Sequence, residues 1–144
     1  MMTVKVVCVG TLKESYWRQA CAEYEKRLSA FCRLSVVALP ESTLPKEKDA
    51  ILKECEGYVV ALCVEGSPMT SEALADKISA VSQISSKITF VIGSSCGLDE
   101  AVKKRADLRL SFSSFTFPHQ MMRVILLEQI YRVFTIQKNM TYHK

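Results

Sequence analysis

The stretch "YVVALCV", Tyr58–Val64, decides the fold class, because it is apolar at every position. A strand that is apolar on both faces must be covered on both faces, which is typical of parallel sheets flanked by helices. The run "ITFVI", Ile88–Ile92, is similar and ends at Gly93. Both runs therefore predict central strands of a mainly parallel sheet.

Strands and helices alternate along the rest of the chain. Three further apolar runs are predicted strands: "VKVVCVG" (4–10), "LSVVAL" (34–39) and "LRLSF" (108–112). Helical spacing, or a proline before and a glycine after a charged run, predicts helices in segments 17–31, 45–57, 73–81, 99–106 and 115–134. This alternation predicts a single α/β domain over residues 1–144, with a mainly parallel sheet and flanking helices.

The composition is that of an ordinary globular domain, with 49% apolar and 24% charged residues among 144. The apolar runs are far shorter than the roughly 18 residues of a membrane span, so no membrane partner is expected. The six cysteines form no C-x-x-C pair, and the start "MMTVKVVCVG" lacks a signal-peptide layout. A cytoplasmic protein in a reducing compartment is therefore expected.

The net charge of +4 is unevenly distributed. Residues 101–144 contain eight lysines and arginines but two acids, a balance of +6, which leaves −2 for residues 1–100. A basic C-terminal third indicates an anionic partner such as a nucleic acid. A solvated basic face is the alternative that charge alone leaves open.

Three predicted loops converge at one edge of the sheet. They follow the third, fourth and fifth strands and read "EGSPM" (65–69), "GSSCG" (93–97) and "FSSFTFP" (112–118). The carboxyl ends of parallel strands share an edge, and ligands of open α/β sheets bind there. Gly66, Gly93 and Gly97 would let the backbone approach a ligand closely. The sequence therefore predicts a small-molecule pocket at this edge.

Other enzyme motifs are weaker. No G-x-G-x-x-G or P-loop pattern is present, and two histidines without a cysteine pair give little basis for a metal site. Residues 93–97 do match the G-x-S-x-G motif of hydrolases, in which Ser95 would be the nucleophile. Asp107 would then be the acid, and His119 or His143 the base. Only 47 residues follow this motif, fewer than that fold normally requires.

The last predicted helix is the most apolar one, yet it begins with polar groups. Pro118 suits a first helical turn, and His119 and Arg123 lie four residues apart on one helix face. Because this turn follows a pocket loop, its N–H groups and positive dipole end could meet an anion or a developing charge. A packed histidine and a snorkelling arginine are the structural alternative. Tyr142 and His143 could stack on or hydrogen-bond a base, although chain ends usually fray.

These motifs together resemble one known family. They occur in its order along the whole chain, as "VGT" (9–11), "ALCVEG" (61–66), "ITFVIGSSCGL" (88–98), "LSFSSFTFPHQMMRVILLEQIYR" (110–132) and "YHK" (142–144). On these residues the chain resembles the ribosomal large-subunit methyltransferase H family, in the SPOUT class of knotted methyltransferases. Ser94, Cys96 and Thr141 depart from the residues that the family usually has there.

The resemblance implies an enzyme that uses S-adenosyl-L-methionine to methylate N3 of a pseudouridine in a 23S rRNA helix-loop on the assembled ribosome. It also implies a homodimer and a SPOUT-type fold with a C-terminal trefoil knot; no metal is expected from the residues themselves. The implied cofactor-binding residues are Leu62, Gly93, Gly97, Phe112, Ser113, Ser114, Phe115, Thr116 and Phe117. The implied catalytic residues on the substrate side are His119, Arg123, Tyr142 and His143.

Methyl transfer from a sulfonium is an in-line displacement, so the protein must align cofactor and base and exclude water. On this interpretation His119 or His143 helps to remove the N3 proton, and Arg123 stabilises the anionic base. A non-catalytic ribosome-binding factor that uses the same basic face is the alternative.

Overall fold

The computed structural model describes residues 1–143, with side chains as far as Tyr142, and is built around one five-stranded sheet. The elements, in chain order, are β1 Thr3–Val9, α1 Ser15–Leu28, β2 Arg33–Leu39, α2 Leu44–Glu54, β3 Tyr58–Pro68, α3 Ser71–Ser82, β4 Lys87–Ile92, α4 Glu100–Arg105, β5 Leu108–Ser111 and α5 His119–Gln137. A short 3₁₀ turn, Thr141–His143, follows α5.

The strand order in the sheet is β2-β1-β4-β3-β5, and every neighbouring pair is parallel. The predicted α/β class with a mainly parallel sheet is therefore confirmed. The parallel order brings the carboxyl ends of all five strands to one edge, as the sequence predicted for the pocket. The trefoil knot stays a prediction.

Strand β3 is longer and less regular than predicted. Leu62 and Ser67 both pair with Leu110 of β5, so residues 63–66 bulge out of the ladder. The segment 65–69 was expected to be a loop, but the strand resumes after the bulge and ends at Pro68. A bulge redirects side chains without ending the strand, and here it turns its residues toward the carboxyl edge of the sheet.

Helices cover both faces of the sheet, which explains the strands that are apolar at nearly every position. Val6 and Cys8 of β1 belong to a core with α1, α3 and α5, whereas Val7 and Val9 belong to a second core with α2 and α4. Successive side chains of a strand point to opposite faces, so each strand must supply apolar groups to both cores.

Helix α5 packs against α1 and α3, and seven of its side chains are buried. It begins at His119, four residues after the start of the predicted segment 115–134, and continues to Gln137. Pro118 has an extended ψ of 137° and lies outside the helix, where its carbonyl oxygen accepts a hydrogen bond from the Met122 N–H at 3.0 Å. Proline suits this position because it has no N–H of its own to satisfy. No helix in the described part of the chain combines the length and apolar character needed to cross a membrane.

Helix α1 ends at Leu28, although the apolar spacing predicted a helix to Phe31. The ring of Phe31 stacks on that of Phe134 in α5, with ring centroids 5.8 Å apart. Its apolar character therefore reflects packing onto α5 from the turn that follows α1.

Candidate active site

A cavity of about 630 Å³ opens at the carboxyl ends of β3, β4 and β5. Its volume lies within the range of about 300–1,000 Å³ that is usual for small-molecule sites. The three predicted loops all contribute to it, so the predicted pocket edge is confirmed. The predicted residues that line this main cavity are Leu62, Gly93, Gly97, Phe112, Ser113, Phe115, Thr116, Phe117 and His119. Ser114 is exposed and is not among the lining residues.

Sequence reasoning missed the part of the wall that comes from the β3 bulge and from α4. Cys63 and Val64 of the bulge line the main cavity beside Glu65 of the predicted loop, and so does Lys103 of α4. Lys103 forms an ion pair with Glu65 and thereby links the bulge to α4. The hydrogen bond from Lys103 lowers the pKa of the Glu65 carboxyl, which stays ionised at neutral pH. No local pattern marks this pair, because the bulge that joins its members was not predictable.

The loop after β4 is a tight turn with little free space inside. The Gly97 N–H donates to the Ser94 carbonyl oxygen at 2.9 Å, and Gly97 has a left-handed φ of +81°. A Cβ atom on Gly93 would lie 2.5 Å from the Gly97 carbonyl oxygen, well inside contact distance. Both glycines are therefore required by the turn itself, one for its close approach and one for its φ.

Ser94 occupies this turn without strain. Within residues 1–143, Asn139 is the only non-glycine residue with a positive φ, so Ser94 does not need a glycine conformation. Its hydroxyl donates to Glu47 Oε1 at 3.0 Å and accepts from the Cys96 N–H at 3.3 Å. Glu47 is 4% exposed and also accepts from the Ser42 N–H at 2.9 Å. A buried carboxylate thus ties the cavity loop to the segment after β2.

The loop between β5 and α5 is shaped by two serine hydroxyls. Ser111 Oγ donates to the Ser113 carbonyl oxygen at 3.1 Å, and the Phe115 N–H donates to Ser113 Oγ at 3.0 Å. Local bonds of this kind hold a turn that has no partner strand. Phe115 is left 76% exposed at the margin of the main cavity.

His119 lies between the main cavity and a second depression of about 220 Å³, here called the side hollow. The residues that line the side hollow are Gly10, Thr11, Lys13, Pro40, Glu41, His119 and Gln120. His119 Nε2 lies 3.6 Å from Glu41 Oε1, and Gln120 Oε1 accepts from the Lys13 N–H at 3.1 Å. The first turn of α5 therefore joins two concave sites.

Arg123 lies beneath this junction and lines neither cavity. It is 6% exposed, and its Nη2 donates to the Gly10 carbonyl oxygen at 2.8 Å. Its Nε is buried and has no hydrogen-bond partner among the described residues. Arg123 thus anchors the turn after β1 to α5, below the floor of the side hollow.

Tyr142 is held on the middle of α5 and lines neither cavity. Its hydroxyl donates to Glu128 Oε1 at 3.3 Å, and its ring meets the edge of Tyr131 with centroids 4.8 Å apart. Burial, the hydrogen bond with Tyr24 and nearby Glu128 raise the pKa of Tyr142, so the phenol stays protonated at neutral pH.

Tyr142 and His119 are well separated in a single chain. Glu128 follows His119 by nine residues of α5, a rise of about 13 Å along the helix axis. The side chain of His143 lies outside the described residues, and so does Lys144.

The whole-chain comparison decides the family. A family profile described as "Predicted SPOUT methyltransferase" matches residues 2–143. This chain belongs to the SPOUT methyltransferase family. The resemblance drawn from its motifs is confirmed, and the protein is an enzyme of the methyltransferase class.

Relatives that match this SPOUT methyltransferase over its full length carry the name "Ribosomal RNA large subunit methyltransferase H". The protein from Streptococcus equi subsp. zooepidemicus is 43% identical over an alignment of 159 positions, which covers 99% of this chain and 100% of the relative. The protein from Levilactobacillus brevis is 46% identical over 160 residues, with the same coverage.

Two solved structures share the fold. A probable methylase family protein from Haemophilus influenzae superposes with a TM-score of 0.60 at 14% identity, over 98% of this chain and 70% of that one. TrmJ from Z. mobilis superposes with a TM-score of 0.51 at 14% identity, over 94% and 70%.

The geometry of this SPOUT methyltransferase does not support the hydrolase alternative. Asp107 Oδ2 accepts from the Val59 N–H at 2.9 Å and lies near Arg105, where β5 begins. Ser95 follows the end of β4, at the opposite edge of the parallel sheet. Asp107 therefore cannot orient a base for Ser95, because a triad needs its groups within hydrogen-bond reach. Within the described residues, no group of three or more histidines, cysteines or acids is placed to hold a metal.

Proposed function

We propose that this SPOUT methyltransferase uses S-adenosyl-L-methionine to methylate N3 of a pseudouridine in 23S rRNA. The observation that carries the proposal is the junction at His119, where a cavity large enough for the cofactor meets a second hollow open to a substrate. The full-length relatives named as ribosomal RNA large subunit methyltransferase H support methylation of the large-subunit rRNA.

The residues of the main cavity fit the proposed cofactor. Apolar side chains such as Leu98, Leu110 and Met122 line it and suit the flat faces of an adenosine. The Gly93–Gly97 turn and the loop 112–117 bring polar backbone close to the same space, where hydrogen bonds could fix its orientation. When bound, the cofactor would supply an activated methyl group on a sulfonium.

The chain must align the base and remove the N3 proton. His119 is the ionisable side chain that lines both cavities among the described residues, so we assign it to hold or accept that proton. His143 stays a second candidate for the base. Tyr142 is a hydrogen-bonding or stacking group rather than a base, because its raised pKa keeps it protonated. Arg123 acts through the Gly10 turn, as a positioning residue for the substrate side.

We propose that the ribosome, in the cytoplasm, is the substrate-bearing partner. Of the basic residues in the C-terminal third, Lys103, Arg105 and Arg132 form ion pairs, and Arg123 is buried. The exposed cations there that form no ion pair with described residues are Lys104, Arg109 and Lys138. Lys13, at the side hollow, is another exposed cation. The RNA-binding charge is thus smaller than the sequence balance indicates and is shared with the N-terminal part of the chain.

We also propose that the enzyme is a homodimer. Helix α5 keeps Met121, Val124 and Ile125 only half-buried, an apolar surface that a second copy would cover. Because Tyr142 is held far along α5 from His119, a dimer would also let the tail of one copy reach the cavity of the other. Sedimentation should show a dimer at micromolar concentration, and a monomer alone would contradict this proposal.

The reaction is tested with ribosomes from cells that lack this protein. Mass spectrometry of their 23S rRNA should show one pseudouridine without a methyl group, and purified enzyme with S-adenosylmethionine should restore it. Calorimetry should show cofactor binding by the isolated protein. A complete modification pattern in the deleted cells, or no cofactor binding, would refute the proposal.

A further inference from the structure

The side hollow has a floor made by backbone and walls made by polar side chains. Gly10 forms the floor with a left-handed φ of +97°, and its N–H donates to the Leu39 carbonyl oxygen at 2.7 Å. Arg123 holds the Gly10 carbonyl oxygen from below. Hydrogen bonds therefore hold both the N–H and the C=O of Gly10, and the floor does not need a ligand to form.

The space above Gly10 touches two functional groups at once. A Cβ atom built on Gly10 would lie 3.0 Å from Glu41 Oε1 and 3.4 Å from His119 Nε2. Glycine leaves this position open, so a ligand atom placed there would contact both the carboxylate and the imidazole. The segment that carries Glu41 is tethered next door, where the Ser42 N–H donates to buried Glu47.

The two groups form an acceptor beside a donor. Glu41 Oε1 accepts hydrogen bonds, and His119 Nε2 donates in the tautomer that carries its proton there, which leaves Nδ1 as the nitrogen that can accept the N3 proton. Oε1 and Nε2 lie 3.6 Å apart. An N–H group next to a C=O group on a planar ring needs such a pair, with partner atoms about 2–4 Å apart. The pair is thus suited to one edge of a pyrimidine ring.

Uridine and pseudouridine differ in the edges that they can offer. In both bases N3–H lies between two carbonyl groups, but N3 must face the main cavity to receive a methyl group. With N3 so directed, uridine has no other N–H, because its N1 carries the ribose. Pseudouridine is joined to ribose through carbon and keeps N1–H beside the C2 carbonyl. Only pseudouridine can then offer an N–H next to a C=O to the side hollow.

We propose that the side hollow holds the target ring and that Glu41, paired with His119, selects pseudouridine over uridine by accepting a hydrogen bond from N1–H. This inference rests on the proposed function and assigns its substrate specificity. The remaining groups fit the same occupant. The Gln120 amide oxygen is occupied by the Lys13 N–H, which leaves its NH₂ group to donate to the ring, and the exposed Lys13 ammonium can meet a flanking phosphate.

The test compares two substrates and three variants. Large ribosomal subunits with pseudouridine or uridine at the target position are methylated by the wild type, Glu41→Ala, Glu41→Gln and Asp49→Asn. Asp49 is an exposed carboxylate on α2 that lines neither cavity and serves as the matched control. Cofactor affinity is measured on each protein by calorimetry.

The wild type should prefer the pseudouridine substrate by about 100-fold or more, the scale seen when a site depends on one substrate hydrogen bond. Glu41→Ala should lower kcat/KM on pseudouridine by about 10- to 100-fold and leave the slow reaction on uridine unchanged, so the preference falls. Glu41→Gln keeps an acceptor oxygen and should lose less. Asp49→Asn should match the wild type, and cofactor affinity should stay within about twofold throughout.

Three other outcomes would contradict the assignment of Glu41 or the proposed function. Unchanged activity of Glu41→Ala on pseudouridine would overturn the assignment and leave the proposed function standing. An equal loss on both substrates, or a loss of cofactor affinity, would show a structural role for Glu41 and would also overturn it. Absence of methyl transfer by the wild type to either substrate would refute the proposed function, and the selectivity assignment with it.

Discussion

Replacing Gly93 with alanine should impair cofactor binding through steric strain in the turn after β4. The added Cβ would lie 2.5 Å from the Gly97 carbonyl oxygen and 2.7 Å from its carbonyl carbon, both backbone atoms that cannot rotate away. Overpacking of this kind costs about 1–3 kcal/mol. If the turn opens to relieve this strain, cofactor binding must close it again at the same cost. That cost raises Kd by about 5- to 150-fold.

Calorimetric titration with S-adenosylmethionine, beside thermal unfolding, measures both effects of Gly93→Ala. Ser86→Ala is the control, since Ser86 is exposed before β4, at the opposite end of the strand, and lines neither cavity. We expect a weaker Kd for Gly93→Ala and near wild-type affinity for Ser86→Ala. Wild-type affinity in Gly93→Ala would refute the reasoning that this turn binds the cofactor in its observed shape.

Three further predictions concern the tail, the half-buried acid Glu25 and the salt dependence. Deleting residues 142–144, or changing His143 to Ala, should keep cofactor affinity within a few-fold, because Tyr142 lines neither cavity. The same changes should lower ribosome methylation by about 100-fold in a methyl-incorporation assay. Near-normal incorporation would show that the tail has no catalytic role. Burial raises the pKa of Glu25 against a smaller opposing effect of Arg123, so the ionised carboxyl destabilises the fold above its folded pKa. Glu25→Gln should therefore melt at a higher temperature than the wild type at pH 7, and the difference should disappear below the unfolded pKa of about 4.3; an equal difference at both pH values would contradict this cause. Ribosome binding should weaken steeply between about 50 and 200 mM salt, since it depends on exposed cations such as Lys104 and Lys138; binding that does not change over this range would exclude an electrostatic interface.

The sheet and its pocket edge were predictable because they depend on local patterns. Runs such as Tyr58–Val64 indicate that both faces of a strand are buried, and parallel strands bring the loops that follow them to one edge of the sheet. The bulge at residues 63–66 was not predictable, since nothing in an apolar run followed by Glu65 and Gly66 shows where pairing with β5 is interrupted. The contribution of Cys63 and Val64 to the cavity wall and the ion pair between Glu65 and Lys103 were missed for the same reason.

The side hollow was beyond sequence reasoning for a topological reason. Gly10, Glu41 and His119 belong to three distant segments, and His119 is the one residue of the three that its own segment marks as functional. They meet because β1 lies beside β2 in the sheet and because α5 packs over β4, the other neighbour of β1, with its first turn at the carboxyl edge. Periodicity predicts which segments are strands or helices, but it does not specify the order of strands. A site assembled by strand order therefore becomes visible only in the folded chain.

Glu47 shows how the two concave sites are coupled. Its position in the charged segment 45–57 suggests a solvated helix face, yet the side chain is 4% exposed. One carboxylate oxygen accepts from the Ser94 hydroxyl in the Gly93–Gly97 turn, and the other accepts from the Ser42 N–H, next to Glu41. A shift of either loop would leave a buried acceptor without its donor, which is costly in free energy. Glu47 therefore fixes the position of the Gly93–Gly97 turn relative to the wall of the side hollow, as a reaction between two bound molecules requires.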